Sequence, residues 1–276
     1  MTQTADETRR LPDYADVVDL ERYPIHELDT ERGRAFVTAC KSELDATGVC
    51  NLEGFVRPAA VARMVELAGE LADRAWPTDR THTIYFRAPD ETVPVGHPLR
   101  RQVRSAKHGI AYDQIPADAP VRRLYESDDL TAFIAAVLGK EKLHRSADPL
   151  DAFQVTTFHP GEELGWHFDN SEFSMTVMYQ PAESGGEFVY APGLRSEGDE
   201  NHAGVQEVLG GEESGLKVLP SSPGSLAFFR GEHALHRVTP VEGSTPRVNS
   251  VLTYGERPDM RLSDLTSELF YGRTSR

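Results

Sequence analysis

Two textures divide this chain. Up to about residue 150 apolar positions recur at helical spacing, and from residue 151 they come in short runs broken by Gly, Pro and acidic turns. Asp29 to Gly48 carries Phe36, Val37, Ala39, Cys40 and Leu44 at helical spacing, with Gly48 as a natural stop. Val49 to Phe55 then alternates like a strand. Pro58 opens a second helix with Val61, Met64, Val65, Ala68, Leu71 and Ala72 on one face, closed before Pro77. Ser127 caps a third, whose stripe is Leu130, Phe133, Ile134, Val137 and Leu138 and whose end is Gly139. The second texture predicts strands at Ala152 to Phe158, Phe173 to Tyr179, Glu187 to Tyr190, Leu226 to Phe229, Leu235 to Thr239 and Arg247 to Tyr254. Strands at that density imply a β-sandwich or barrel-like core. No linker or repeat separates the halves. The pattern therefore predicts one domain over 1–276: a mainly helical support (1–150), a strand-rich core (151–256) and a tail (257–276).

One stretch fits neither texture. Gly193 to Gly215 holds Glu197, Asp199, Glu200, Glu207, Glu212 and Glu213 among glycines and serines. Between strands of a compact domain, such an insertion is either an acidic disordered excursion or a lid over a site. Near the end, Phe270-Tyr271-Gly272 is an aromatic cluster in a polar tail. It either closes over a substrate or docks the terminus on the core.

Composition narrows the partners. A net charge of −15 argues against nucleic acid or an anionic membrane, either of which needs a basic face. Two cysteines, Cys40 and Cys50, cannot build a disulfide framework, which points to a reducing compartment. Met1 to Pro12 is polar, with no apolar h-region, and no run approaches membrane-spanning length. A cytoplasmic location is expected, and the composition leaves room for a homodimer.

The candidate chemistry sits in Trp166-His167-Phe168-Asp169. His167 and Asp169 are two apart, so on an extended strand both leave by one face. Two histidines and one carboxylate are the ligand set that holds Fe(II) on one side and leaves other positions free for reaction. His236 is the foremost candidate for the third ligand, with His233 next and His159 behind, and spacing alone ranks them. Arg247 opens an alternating run that puts Arg247, Asn249 and Val251 on one face, with Ser250 and Leu252 on the other. An arginine turned into a barrel needs an anion, and a carboxylate is its bidentate match.

Read together, these residues resemble the Fe(II)/2-oxoglutarate-dependent oxygenases. Phe153 to Gly161, Trp166 to Asp169 and Gly185 to Phe188 resemble the first half of that family's core; Pro223 to Phe229, His236 to Pro240 and Arg247 resemble the second. The likeness covers residues 150 to 255 well and the helical half in outline, with Gly48 to Phe55 resembling the early strand. It implies an α+β fold: a double-stranded β-helix (jelly-roll, cupin-like) core with N-terminal helices packed on it. It implies His167, Asp169 and His236 as catalytic iron ligands, Fe(II), 2-oxoglutarate and O2 as cofactors, and Arg247 as partner of the distal carboxylate of 2-oxoglutarate. Asn249 stands where the family often has Ser or Thr, and Phe158 where it often has Tyr. Gln154 and Thr156, facing the same way as Phe158, are then the candidates to complete the co-substrate site.

More narrowly, the Trp-His-Phe-Asp-Asn run is similar to a bacterial branch that hydroxylates or halogenates free amino acids. Its halogenases carry Gly where Asp169 stands, so the resemblance implies hydroxylation of an unactivated C–H in a small, amino-acid-like substrate, with succinate and CO2 as co-products. An upstream arginine binds the substrate carboxylate in that branch; Arg104 is the nominee, then Arg101, with Asn170 and Asn249 orienting the substrate. Phe168, Val251 and Phe228 would exclude water if they line the pocket. The alternatives are the same chemistry on a carrier- or peptide-bound substrate, with the acidic insertion as docking surface; oxidative cyclisation or desaturation; and a non-enzymatic, cupin-like metal protein.

Overall fold

The computed structural model describes residues 11–171 and 173–274. Most of the polar opening segment, Met1 to Pro12, falls outside them. Helix α1 (Glu31–Thr47) begins where the Thr30 hydroxyl accepts the Gly33 amide and ends on Gly48 at φ 83°, a left-handed turn that glycine adopts without strain. Strand β1 (Val49–Leu52) follows at once, then α2 (Pro58–Glu70), opened by its proline. Two strands come next, β2 (Trp76–Thr83) and β3 (Gln102–Ile110), and then two helices, α3 (Pro120–Tyr125) and α4 (Asp128–Leu138), the latter capped by Ser127. The second half supplies β4 (Phe153–Phe158), β5 (Glu163–His167), β6 (Ser174–Gln180), β7 (Phe188–Ala191), helix α5 (His202–Leu209), β8 (Lys217–Leu219), β9 (Leu226–Phe229), β10 (Leu235–Val238) and β11 (Arg247–Leu252). Helix α6 (Asp264–Tyr271) closes the described chain.

These strands form one antiparallel sheet in the order β1-β9-β6-β11-β4-β3-β5-β10-β7-β8, with β2 added to β3. The sheet curls at β3, which pairs with β4 along one part of its edge and with β5 along another. The result is two facing walls, β4-β11-β6-β9 and β5-β10-β7-β8, the double-stranded β-helix that the resemblance implied. Helices α1, α2 and α4 cover the outside of the first wall: Leu44, Met64 and Phe133 share one buried core with Phe153, Val177 and Phe228. The inside of the walls is left for a cavity.

The pattern of apolar positions misses β2, β3, β5, β8, α3, α5 and α6, β5 being reached only through the spacing of His167 and Asp169. Pro77 looks like a helix terminator but lies in β2, which pairs only with β3; the missing amide costs little on an edge strand. β3 hides its alternation because one of its inward positions is a lysine, Lys107, turned into the cavity. The acidic insertion is folded around α5, whose Asn201 side chain accepts the Gly204 amide. Among the described residues no helix is long and apolar enough to cross a membrane.

Candidate metal centre

His167 ends β5 and His236 sits on β10 directly across from it. Between this pair and the next, Val238 opposite Leu164, β5 carries one residue more than β10, a bulge that turns both Leu164 and His167 inward. Gly165 in the bulge lies under β3: a Cβ there would come within 2.4 Å of the Arg104 carbonyl oxygen. The two imidazoles have centroids 4.0 Å apart. Each ring donates from Nδ1 to a backbone carbonyl two residues earlier, Gly165 for His167 and Ala234 for His236, both at 2.8 Å. That tautomer leaves both Nε2 lone pairs facing Asp169.

Asp169 closes the set. Its Oδ1 lies 3.6 Å from His167 Nε2 and 3.5 Å from His236 Nε2. Ser174 donates to Oδ2 at 2.5 Å, and the Asp169 amide donates to the Gly231 carbonyl at 3.1 Å. Gly231 is needed for space, since a Cβ there would stand 1.9 Å from Asp169 Oδ2. Burial, then the neighbouring His236 ring, pushes the His167 imidazole down to about 4, so it is neutral and fit to ligate at neutral pH. Burial opposes the charge on Asp169, yet the His236 and His167 rings hold its carboxyl well below the usual range. Among the described residues this is the one cluster of three such donors within reach of a single ion. Two imidazoles whose Nε2 atoms face one ionised carboxylate, with a cavity on the open side, fit ferrous iron. The other histidines stand apart: His233 is half-buried in the turn before β10, and His159 is exposed against His108.

On the facing wall the register is Arg247 opposite Phe158, Asn249 opposite Thr156 and Val251 opposite Gln154, all six turned inward. Arg247 is 3% exposed, its guanidinium 5.4 Å over the Phe158 ring and held by the Asn249 side-chain oxygen. Its Nε has no partner, no described carboxylate pairs with it, and burial pushes the group down to about 10. A buried cation with donors unspent is poised for an anion.

The family model described as Halogenase D matches residues 34–271. The chain belongs to the Halogenase D family, and with it to the Fe(II)/2-oxoglutarate-dependent oxygenases. No curated protein matches it by sequence. Among solved structures it is similar to an oxidoreductase of the 2OG-Fe(II) oxygenase family from Burkholderia pseudomallei (16% identity over 80% of this chain and 91% of that one, TM-score 0.52). It is also similar to a prolyl hydroxylase from Trichoplax adhaerens solved with a hypoxia inducible factor peptide (12%, 82% and 91%, 0.54) and to the non-heme alpha ketoglutarate dependent epimerase SnoN from nogalamycin biosynthesis (14%, 80% and 81%, 0.55). At these identities the likeness carries the fold.

In this Halogenase D member the walls enclose a cavity of about 230 Å³ that reaches the triad, Arg247, Gln154, Thr156, Asn249 and Asn170. Three expectations need correcting. Arg104 does not reach the cavity: it lies on the outside, its Nε 2.9 Å from Asp79 and its Nη1 3.1 Å from the Gly161 carbonyl oxygen. Of the three apolar residues expected to exclude water, only Val251 lines the cavity; Phe168 faces Tyr85, and Phe228 faces the helices against Phe133. The aromatic lining comes instead from Phe86, Phe158, Phe188, Phe229 and Phe270. Finally, the insertion, read as either a disordered excursion or a lid, is folded around α5, and none of residues 193–215 lines the cavity.

The residue that the sequence reading passes over is Lys107. It is 5% exposed, lines the cavity 4.3 Å over the Phe270 ring, and makes one long hydrogen bond, 3.4 Å, to Gln154 Oε1. Burial pushes its ammonium down to about 8. No described carboxylate pairs with it. Nearby Asp151 is spoken for: Gln154 Nε2 donates to it at 2.8 Å, as do the Tyr271 and Thr253 hydroxyls.

Proposed function

We propose that this enzyme hydroxylates an unactivated C–H of a free amino acid or similar small carboxylate. The observation that carries this reading is Asp169 itself, whose Oδ1 faces both imidazole Nε2 atoms from the position where a halogenase of the resembled branch carries glycine. His167, Asp169 and His236 hold the metal on one side, with their tautomers set by Gly165 and Ala234. Fe(II) with 2-oxoglutarate supplies the O2-dependent oxidation, and succinate and CO2 are the co-products. Arg247 takes the distal carboxylate of 2-oxoglutarate, and Asn249, already bonded to Arg247, fixes that guanidinium rather than the substrate. Gln154 is engaged by Lys107, Thr156 and Asp151, so it orders the floor between the two anion sites.

For the substrate, Lys107 replaces Arg104 as the carboxylate anchor. The cavity presents Lys107 and Arg247, while Asp151 is satisfied by its neighbours and Asp169 by the metal. A second cationic group on the substrate would find no free acid, so the reading favours a neutral or acidic side chain. Phe86 and Phe270, packed edge to face in the cavity lining with centroids 5.6 Å apart, keep water from the reacting carbon. The test is an aerobic screen of amino acids with Fe(II), 2-oxoglutarate and chloride, read by mass spectrometry. The expected product gains one oxygen and no chlorine. A chlorinated product, or succinate release that no amino acid or small carboxylate stimulates, overturns the proposal.

A further inference from the structure

The insertion between β7 and β8 folds against the back of the centre, and one side chain at its root touches both segments that carry the triad. We propose that Arg195 is a positioning residue: it clasps the Phe168 segment to the turn before β10, and so the insertion stiffens the metal centre from behind. This rests on the assignment of His167, Asp169 and His236 as ligands.

The geometry is specific. Phe168 lies between two triad members in the chain, is 1% exposed, and stacks on Tyr85 at 5.5 Å with its amide donating to the Ile84 carbonyl. The Arg195 guanidinium covers the ring at 4.2 Å from the centroid. The same guanidinium donates from Nε to the Glu232 carbonyl at 2.5 Å, and the Arg195 amide donates to the His233 carbonyl at 3.3 Å. Those carbonyls belong to the turn that leads into His236. Nη1 pairs with Glu200 at 2.9 Å, which holds the fork in its plane. The Arg195 side chain is 9% exposed, so its contacts with the ring and the Glu232 carbonyl are shielded from water, where they are strongest, while the Glu200 arm is half exposed. A lysine cannot copy it, because it lacks the planar fork that serves ring, carbonyl and carboxylate together.

Groups that hold ligands in place typically change metal affinity by about 10–100-fold when removed. Anaerobic titration of the full apo chain with Fe(II), quantified against a competing chelator, reads this without turnover. Arg195→Ala is expected to weaken Fe(II) binding by about 10–100-fold, Arg195→Lys less, and Glu200→Gln by a few-fold. Val208→Ala, elsewhere in the insertion, is expected to lower the apo melting temperature and leave Fe(II) affinity unchanged. Wild-type affinity in folded Arg195→Ala overturns the proposal; if that variant does not fold, wild-type affinity in both Arg195→Lys and Glu200→Gln does so. Equal weakening by Val208→Ala also overturns it, since general loosening then explains the effect. If Asp169→Ala binds Fe(II) as tightly as wild type, the ligand assignment fails instead.

Discussion

The wall β4-β11-β6-β9 has two faces made by the same strands. On β11, Leu252 enters the apolar core beneath the helices, and Ser250 accepts a 2.6 Å hydrogen bond from buried Tyr179; at the alternate positions, Arg247, Asn249 and Val251 line the cavity. Both faces are buried, yet the outer one is satisfied by its neighbours and the inner one holds Arg247, a cation whose Nε is unpartnered and which makes no ion pair with a described carboxylate. The outer face is built for stability, the inner for ligands it has yet to meet. A protein tolerates such an inner face only because the outer one more than offsets its desolvation cost.

Substitutions can break this contrast. The largest effect should come from Asp169→Ala: substrate-coupled succinate formation should fall by more than the roughly 100-fold that loss of an outer partner can cost, with the melting temperature nearly unchanged. Full activity would remove Asp169 from the ligand set. Phe228→Ala, on the outer face, should cost roughly 3–5 kcal/mol in denaturant unfolding while the folded fraction keeps its KM for 2-oxoglutarate. Arg247→Ala should do the reverse. Losing one partner of a buried charge pair costs roughly 2–5 kcal/mol, or roughly 30-fold to a few thousand-fold in 2-oxoglutarate affinity, and metal binding measured alone should persist.

Lys107 gives a pH signature. Substrate carboxylate needs the protonated amine, so substrate KM should climb as pH rises through about 8, where burial has placed that group. Lys107→Arg, charged to above about 12, should flatten the rise. The folded value lies below the unfolded value of roughly 10.4, so between these two values the unfolded chain binds more protons. Stability of the substrate-free enzyme should therefore rise with pH across that window. Lys107→Met should abolish the slope, raise the apo melting temperature and weaken substrate binding. The smallest effect should be that of Arg104→Ala: an exposed pair with Asp79 is worth about 0–1 kcal/mol, and substrate KM should not move.

How much of this could be read from residues alone follows the same contrast. The outer face was legible, because Phe133, Val137, Val177 and Leu252 obey helical or alternating periods. The triad's first two members are legible from their spacing of two; His236 ranks ahead of His233 and His159 on spacing and on the resemblance alone, and the register sets it across from His167. Lys107 was hidden because β3 was not seen as a strand. Once it is, alternation puts Lys107 and Arg104 on opposite faces, and the choice between them is plain. The insertion is ambiguous since acidic, glycine-rich composition suits a mobile loop and a folded one alike; Val205 and Leu209 pack it against Phe168 and Leu235, and the half-buried Arg195 ties its root to the turn before β10.

The contact between residue 231 and the carboxylate at 169 has an evolutionary corollary. With only 1.9 Å between a would-be methyl and Oδ2, the two sites cannot both gain bulk. Among related chains, any side chain at the position of Gly231 should travel with loss or displacement of the acid, and so with a switch in what the metal can accept. Covariation between these two columns would then sort relatives by reaction before any of them is assayed.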